Sequence, residues 1–310
     1  MLISDAIEEY LSAKQNSLTA STYVWYARFL DYFAEWANQH RLTEVGEVTA
    51  GHVQGFVAAA PTTNTHTRHA RAQIVKGFLS WCSKDTELGV RRTVVERIEM
   101  PRLEQSDVEL LTPADITKLI NACDHTTHPH RNRALIHVLL DTGIRAAECC
   151  YDADRPQEET GLRMDGVVLG REDSYIRVMG KGQKSRTVGL GQLSTLAMRR
   201  YLNRERVSCG SDFNSYVFLA REGGPLSVRM LQQLLAELGE SAGVPGIHPH
   251  LFRHCFAVSQ LLAGTSDLVL MRLLGHTTLE STKIYTRAMS QIQARKASIS
   301  VVDRMRKGKR

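Results

Sequence analysis

The sequence predicts a mainly α-helical protein of the α+β class, with a small antiparallel β-sheet. Three observations carry this. Apolar residues recur at helical spacing between capping residues along most of the chain. Period-two alternation over 174–179 and 186–190 flanks Gly180-Lys181-Gly182-Gln183-Lys184, which reads as two short strands joined by a glycine turn. The 310 residues suffice for two domains of ordinary size. Residues 88–110, where charges alternate with valines around Met100-Pro101, read as a linker. The expected division is 1–87, the linker 88–110, 111–290 and a tail over 291–310.

The N-terminal part reads as a helical bundle. Ile3, Ile7, Tyr10 and Leu11 fall at helical spacing. Thr19 or Ser21 caps the next helix, on which Tyr23, Tyr26, Ala27, Leu30, Phe33, Ala34 and Ala37 form one stripe. Trp25, Phe29, Tyr32 and Trp36 form a second stripe beside it. A helix apolar on two faces is expected between packed neighbours; stacking of its rings on bases is the rival use. Thr49 caps a short helix carrying Val53, Phe56 and Val57. Beyond Pro61 a helix reaching about Lys84 buries Ile74, Phe78, Leu79 and Cys82. Its N-terminal half carries His66, Arg68, His69, Arg71 and Lys76, either a phosphate-facing or a solvated surface.

The second domain opens at Leu111-Thr112-Pro113-Ala114-Asp115. Thr112 is the cap, Pro113 takes the first helical position and Asp115 favours the helix dipole. His128-Pro129-His130 precedes a helix with Ala134, Leu135, Val138 and Leu139. His125, His128 and His130 are not read as a metal site, because only Cys123 sits near ligand spacing. Gly143 ends that helix and Arg145 begins another. Helices follow at 192–206 and 227–239, the second capped by Ser227.

The richest chemistry lies from His248 to Tyr285. Pro249 opens a helix that puts His250 and Arg253 on one face. Gly264 ends it, Thr265 or Ser266 caps a second helix through Leu268, Met271 and Leu274, and Gly275 ends that one. Thr277 with Glu280 reads as a capping box for a third helix, with Tyr285 two turns in. Two imidazoles, a guanidinium and a phenol would then converge. The arginine fork matches phosphate oxygens, and histidine moves protons near neutral pH. A phenol with an ordinary pKa of about 10 becomes a nucleophile beside positive charge or a base. The set suits attack on a phosphodiester.

Composition agrees without deciding. Hydrophobic residues are 43% and charged residues 23%, as in soluble globular proteins. The net charge of +6 mildly favours a polyanionic partner. Six cysteines without a CxxC pair read as reduced thiols in a cytoplasmic protein. No apolar run approaches the ~20 residues of a membrane span, and the N-terminus has no signal-peptide pattern.

These motifs resemble the tyrosine recombinases, also called phage-integrase-type site-specific recombinases. His250-x-x-Arg253, Leu274-Gly275-His276 and Tyr285 match the family signature in order, and the nine-residue step from His276 to Tyr285 is the family's usual interval. Thr142-Gly143-Ile144-Arg145-Ala146-Ala147-Glu148 resembles the motif of the first catalytic arginine. Gly180-Lys181-Gly182-Gln183-Lys184 resembles the turn bearing the catalytic lysine. Val217 to Ala220 and Gly223 to Ser227 look like the family's strand and turn ahead of a DNA-facing helix. The match spans about residues 111 to 290, and residues 1–87 resemble the family's helical core-binding domain by type.

The resemblance implies a catalytic set of Arg145, Lys181, His250, Arg253, His276 and Tyr285, and Glu148, one turn after Arg145, is expected to position Arg145 or the helix end rather than take part in the chemistry. Tyr285 would attack a scissile phosphate to form a 3′-phosphotyrosyl bond, while Arg145 and Arg253 hold the non-bridging oxygens. Lys181 would protonate the departing 5′ oxygen, His250 would assist proton transfer from the tyrosine, and His276 would hydrogen-bond the phosphate. Strands would exchange through a Holliday junction with no metal, ATP or other cofactor. The implied partners are double-stranded DNA bearing a specific recombination site and, on it, three further copies making a homotetramer of a protein monomeric in solution. Arg68, Arg71, Lys76, Lys184 and Arg229 are the expected DNA contacts. Without an extra N-terminal arm-binding domain, a Xer-like or minimal integrase architecture is expected.

Two features stand apart. After Glu148 this chain has Cys149-Cys150-Tyr151 and a polar run from Asp152 to Thr160, an insertion relative to the family pattern. It reads as a loop, open to disorder, DNA contact or contact with another protomer. The tail carries Ile292, Ile299, Val301 and Val302, either a frayed end or the apolar face of a segment exchanged between protomers. A type IB topoisomerase would share the chemistry, and a non-catalytic helix-turn-helix regulator would share the helices over 250–287.

Overall fold

The periodicity of the chain becomes thirteen α-helices and three strands in the described residues of a computed structural model. Those residues are 1–103, 108–155, 159–180, 185–206 and 215–297, the side chains of Ser21 and Lys296 excepted. They form two compact units, Met1–Ser106 and Asp107–Arg310. No described helix is long and apolar enough to cross a membrane.

The first unit contains α1 (Ile3–Lys14), α2 (Ala20–Gln39), α3 (Ala50–Ala58), α4 (Thr65–Cys82) and α5 (Arg92–Arg97). Thr49 Oγ1 accepts the His52 N–H, and His52 Nδ1 accepts the Thr49 N–H in return, so two orphan donors at the start of α3 are satisfied together. The core is Leu30 and Phe33 of α2, Phe56 of α3, and Phe78 and Leu79 of α4. The second stripe of α2 is covered only in part: Phe29 is buried, whereas Trp25 stays 44% exposed.

Two expectations change here. Residues 88–98 are not linker: Leu88, Val90, Val95 and Ile98 are buried in the first core, with α5 among them. The alternation of charge and valine is therefore that of a short element with one buried face, and the unit boundary falls after Ser106. Arg71 and Lys76 are committed to the unit's own interior. The Arg71 guanidinium lies 4.9 Å over the Phe56 ring and donates to the Phe56 carbonyl, and burial lowers its pKa. Lys76 Nζ donates to the Ile98 carbonyl at 3.0 Å.

The second unit begins with α6 (Pro113–Ala122), α7 (Pro129–Thr142) and α8 (Ala146–Cys149). Thr112 and Asp115 form the capping box of α6, with Pro113 in its first turn. Strands β1 (Val167–Leu169), β2 (Ser174–Met179) and β3 (Ser185–Gly189) pair antiparallel in that order, with Ile176 opposite both Val167 and Val188. Ile176, Val178 and Val188 point into the core, as period-two alternation requires. Then come α9 (Gln192–Arg204), α10 (Val228–Ser241), α11 (Pro249–Leu262), α12 (Asp267–Leu274) and α13 (Glu280–Ala297). α7 is the central helix, burying Ala134, Leu135, Ile136, Val138 and Leu139 and packing against α9 and α11.

The hairpin is as expected, but β1 was not anticipated: three residues are too few to show a period. Residues 217–220 form no strand: among them only Leu219 makes an isolated bridge, with Pro225. α13 starts at Glu280 rather than under a Thr277 cap, with the N–H groups of Thr282 and Lys283 donating to the Leu279 carbonyl. α13 also runs through to Ala297, so no boundary falls at 290, and Ile292 packs on the second core. Ile299, Val301 and Val302 lie outside the described residues. The insertion is anchored at its ends. Cys149 and Cys150 are buried, the Tyr151 N–H donates to Leu226, the Val228 N–H donates to Tyr151, and Asp152 N–H donates to Thr160 Oγ1.

Candidate active site

The site is assembled around the C-terminal end of α12. An α-helix leaves its last carbonyls without intrahelical donors and its dipole places partial negative charge there. Gly275 ends α12 in the left-handed region at φ 62°, and the His276 N–H turns back to the Met271 carbonyl. Three successive carbonyls are then taken by three arginines from different elements. Arg186 Nε of β3 donates to Leu273 O at 2.7 Å, Arg253 Nη2 of α11 to Leu274 O at 2.7 Å, and Arg145 Nη2, before α8, to Gly275 O at 3.1 Å. The left-handed backbone at Gly275 favours glycine, and a Cβ there would stand 2.8 Å from Arg186 Nη1 and press on that guanidinium.

A second tie joins two of these arginines. Glu148, only 5% exposed, takes Arg186 in bidentate fashion: Nη1 donates to Oε1 at 2.7 Å and Nη2 to Oε2 at 2.8 Å. Arg145 Nη1 donates to Glu148 Oε1 at 3.0 Å, and the Arg145 backbone N–H to Oε2 at 2.8 Å. Arg253, 3% exposed, donates through Nη1 to the Gly143 carbonyl at 2.7 Å. Gly143 closes α7 at φ 57°, and a Cβ there would stand 2.3 Å from Phe256 Cδ1, so glycine lets α11 come this near.

Tyr285 of α13 is buried in the same place, 4% exposed. Its hydroxyl lies 3.2 Å from His254 Nδ1, and its ring is stacked with His276 at 6.3 Å between centroids and 12° between planes. His276 Nδ1 lies 3.0 Å from Thr282 Oγ1, itself buried. His250 stands one turn before His254 on α11, solvent-exposed, with ring centroids 6.4 Å apart.

Two guanidinium groups thus share the Glu148 carboxylate, and Arg253 is held by carbonyls instead, leaving excess positive charge suited to an anion. Burial, then the neighbouring Arg145 charge, lowers Arg253 to about 10. Burial raises Tyr285 above its ordinary value, and the charge and hydrogen bonding of Arg253 and the charge of Arg145 oppose that rise. Burial alone would raise Glu148, but Arg186, then Arg145, hold its carboxyl below the ordinary value. Desolvation, then Arg253, lowers the exposed-edged His250. His254 is brought to about 4 by burial and then His250, and His276 to about 4 by burial and then Arg253.

Stability should follow from the last two values. Both imidazoles have an ordinary value of 6.5 and a folded value of about 4. Between those values the unfolded chain binds protons that the folded chain does not, so stability rises with pH across the window and is complete above it. Acidification from pH 6.5 towards 4 is expected to lower the unfolding midpoint of the second unit. A calorimetric midpoint unchanged across that window would show rings that protonate freely in the fold.

Of the residues singled out in sequence, Arg145, His250, Arg253, His276 and Tyr285 meet here. Lys181 and Lys184 lie outside the described residues. Arg229 is exposed in the first turn of α10, and Arg68 belongs to the first unit. Three members of the site were missed: Arg186, His254 and Thr282. Arg186 had a readable signal, because it shares the phase of Val188, the core-facing side of β3. His254 follows His250 by four positions, the helical repeat. Thr282 carries no such signal.

A helical domain with a three-stranded edge, closing two arginines and two histidines around a buried tyrosine, is the tyrosine-recombinase catalytic fold. Solved structures agree. The Tn1549 transposon integrase in complex with a circular intermediate DNA superposes with a TM-score of 0.73 at 16% identity, covering 92% of this chain and 95% of that one. XerH site-specific recombinase bound to its difH substrate superposes with a TM-score of 0.64 at 20% identity, covering 91% and 81%. The chain belongs to the phage integrase family, whose model matches residues 109–291, and is a tyrosine-type site-specific recombinase. Tyrosine recombinase XerD of Corynebacterium glutamicum is 29% identical over 286 residues, 88% of this chain and 90% of the relative. Tyrosine recombinase XerC of Oceanobacillus iheyensis is 28% identical over 292 residues, 92% and 91%.

Proposed function

We propose that this protein cuts and rejoins double-stranded DNA at a specific recombination site, with Tyr285 as the nucleophile. The observation that carries this is the buried Tyr285, whose phenol feels the charges of Arg253 and Arg145, both fixed by one helix end. Tyr285 Oη attacks phosphorus, the bond from phosphorus to the 5′ oxygen breaks, and a 3′-phosphotyrosyl ester remains. Arg145 and Arg253 each keep donors for the non-bridging oxygens, where charge grows in the transition state. His276, neutral at pH 7, uses Nδ1 towards Thr282 and is left with Nε2–H for the phosphate. His250 faces the phosphate from the solvent side, and Lys181 protonates the leaving oxygen.

The ester retains the bond energy, so the 5′-hydroxyl of a second strand reverses the step, and paired exchanges pass through a Holliday junction. The names of the relatives and the DNA in the similar structures support a duplex with a defined site as substrate. Four protomers act on two such sites. The first unit clamps the duplex as a core-binding domain, with Arg68 facing it, and Arg229 and Lys184 add phosphate contacts from the second.

The test is covalent capture. Wild-type protein is offered a library of nicked duplexes with randomised cores, and adducts stable to denaturant are digested and mapped. A phosphotyrosyl peptide containing Tyr285 is the expected product, and the absence of any adduct ends the reading. Two copies of the captured sequence in one plasmid then separate the enzymes: deletion or inversion marks a recombinase, and relaxation alone marks a topoisomerase.

A further inference from the structure

We propose that His254 is the base that orients the Tyr285 hydroxyl and takes its proton as the phosphotyrosyl bond forms. The inference rests on Tyr285 being the nucleophile and adds the group that activates it.

Geometry pairs the phenol with one imidazole. His254 Nδ1 lies 3.2 Å from Tyr285 Oη, with ring centroids 5.5 Å apart and planes at 54°. The charge of Arg253, the residue before His254, also acts on the phenol and favours its ionised form. A neutral imidazole whose Nδ1 carries no proton can only accept there, and the phenol then donates to it. His254 Nδ1 is the acceptor in place. Consecutive residues of one helix thus serve two ends of the same step: Arg253 stabilises the oxygen as its proton leaves, and His254 receives that proton.

The helix makes this placement rigid. Phe252, Cys255 and Phe256, on either side of His254 in sequence, are buried in the core, so the ring is carried by a fixed backbone. His250 is the alternative base, but it is exposed on the solvent side of His254. Burial and the surrounding positive groups also keep His254 in its free-base form at neutral pH. A weak base suffices, because the phenol becomes more acidic as its oxygen bonds to phosphorus. The proton moves to Nδ1, the Oη–P bond forms, the P–O5′ bond breaks, and the leaving oxygen takes its proton from Lys181. On reversal the imidazolium returns its proton to the tyrosine oxygen.

The test uses single-turnover cleavage of the nicked duplex that wild-type protein captures best from the randomised library. His254→Ala is expected to slow adduct formation about 100-fold, within the range of general-base contributions, with duplex affinity unchanged. Added imidazole should restore at least about tenfold of that rate by filling the vacated space. His254→Asn offers the phenol an acceptor that cannot take its proton, and should be as slow as His254→Ala. A His254→Asn rate near wild type, or a slow His254→Ala that imidazole does not rescue, overturns proton transfer to His254. Wild-type adducts with unchanged rates in both variants overturn it as well. If wild type captures no duplex, the nucleophile assignment itself has failed.

Discussion

Tyr285→Phe is expected to abolish covalent attachment to nicked DNA while leaving affinity for the same duplex intact. Phenylalanine fills the buried slot of Tyr285 at nearly the same volume, and the stacking with His276 persists. What is lost is one hydroxyl and its bond to His254. The nearby hydroxyls are not substitutes: Thr282 is buried beside His276, and Thr286 Oγ1 donates to Asp267. The cationic pocket is unchanged, so phosphate binding remains. Denaturing gels read the adduct and gel shifts read the affinity. A persistent adduct would place the nucleophile elsewhere. Because the phenol lies beside the same chain's Arg253 and His254, cleavage is expected in cis. Mixing Tyr285→Phe with Arg253→Ala protein should therefore restore nothing, and restored cleavage would mean that the tyrosine crosses between protomers.

Local rules made most of this readable, and non-local ones hid the rest. Proline and glycine set the limits of α7, α11 and α12 as written in the sequence, because each acts within its own turn. Arg253, His276 and Tyr285 could be brought together from spacing, and Arg145 from the resemblance of its motif, since motifs preserve sequence distance. The Glu148–Arg186 pair was not, because 38 residues separate the partners and only the fold joins them. The charged stretch after residue 88 misled for a related reason: exposed charges on one side of a short element look like a linker until the core claims its valines. Lys76 and Arg71 show the limit of reading a basic face, as a long side chain can turn its head onto a carbonyl or ring of its own unit.

That hidden pair has a large expected effect. Glu148→Gln should lower the stability of the second unit by about 3–5 kcal/mol, the scale of breaking a buried ion pair on one side. Glutamine keeps the size but removes the charge that faces Arg145 and Arg186, and it cannot accept both bidentate bonds and the Arg145 backbone N–H. The arginines would then press positive charge on one another around α12, and cleavage should fall with stability because Arg145 loses its anchor. The tryptophans at 25, 36 and 81 all lie in the first unit, so their fluorescence should report an unaltered transition while calorimetry reports the loss. Adding Arg186→Met should recover much of the stability, since removing both members of a buried pair costs less than removing one, yet not the cleavage rate. The pH dependence separates the causes. Glu148 has its folded value below its ordinary 4.5, so its contribution is complete above that value and is lost as pH falls through the folded one. Glu148→Gln should flatten the stability profile below pH 4.5 and leave the histidine slope between about 4 and 6.5 in place. A variant as stable as wild type at neutral pH, with the same acid limb, would mean that the carboxylate does not hold the arginines together.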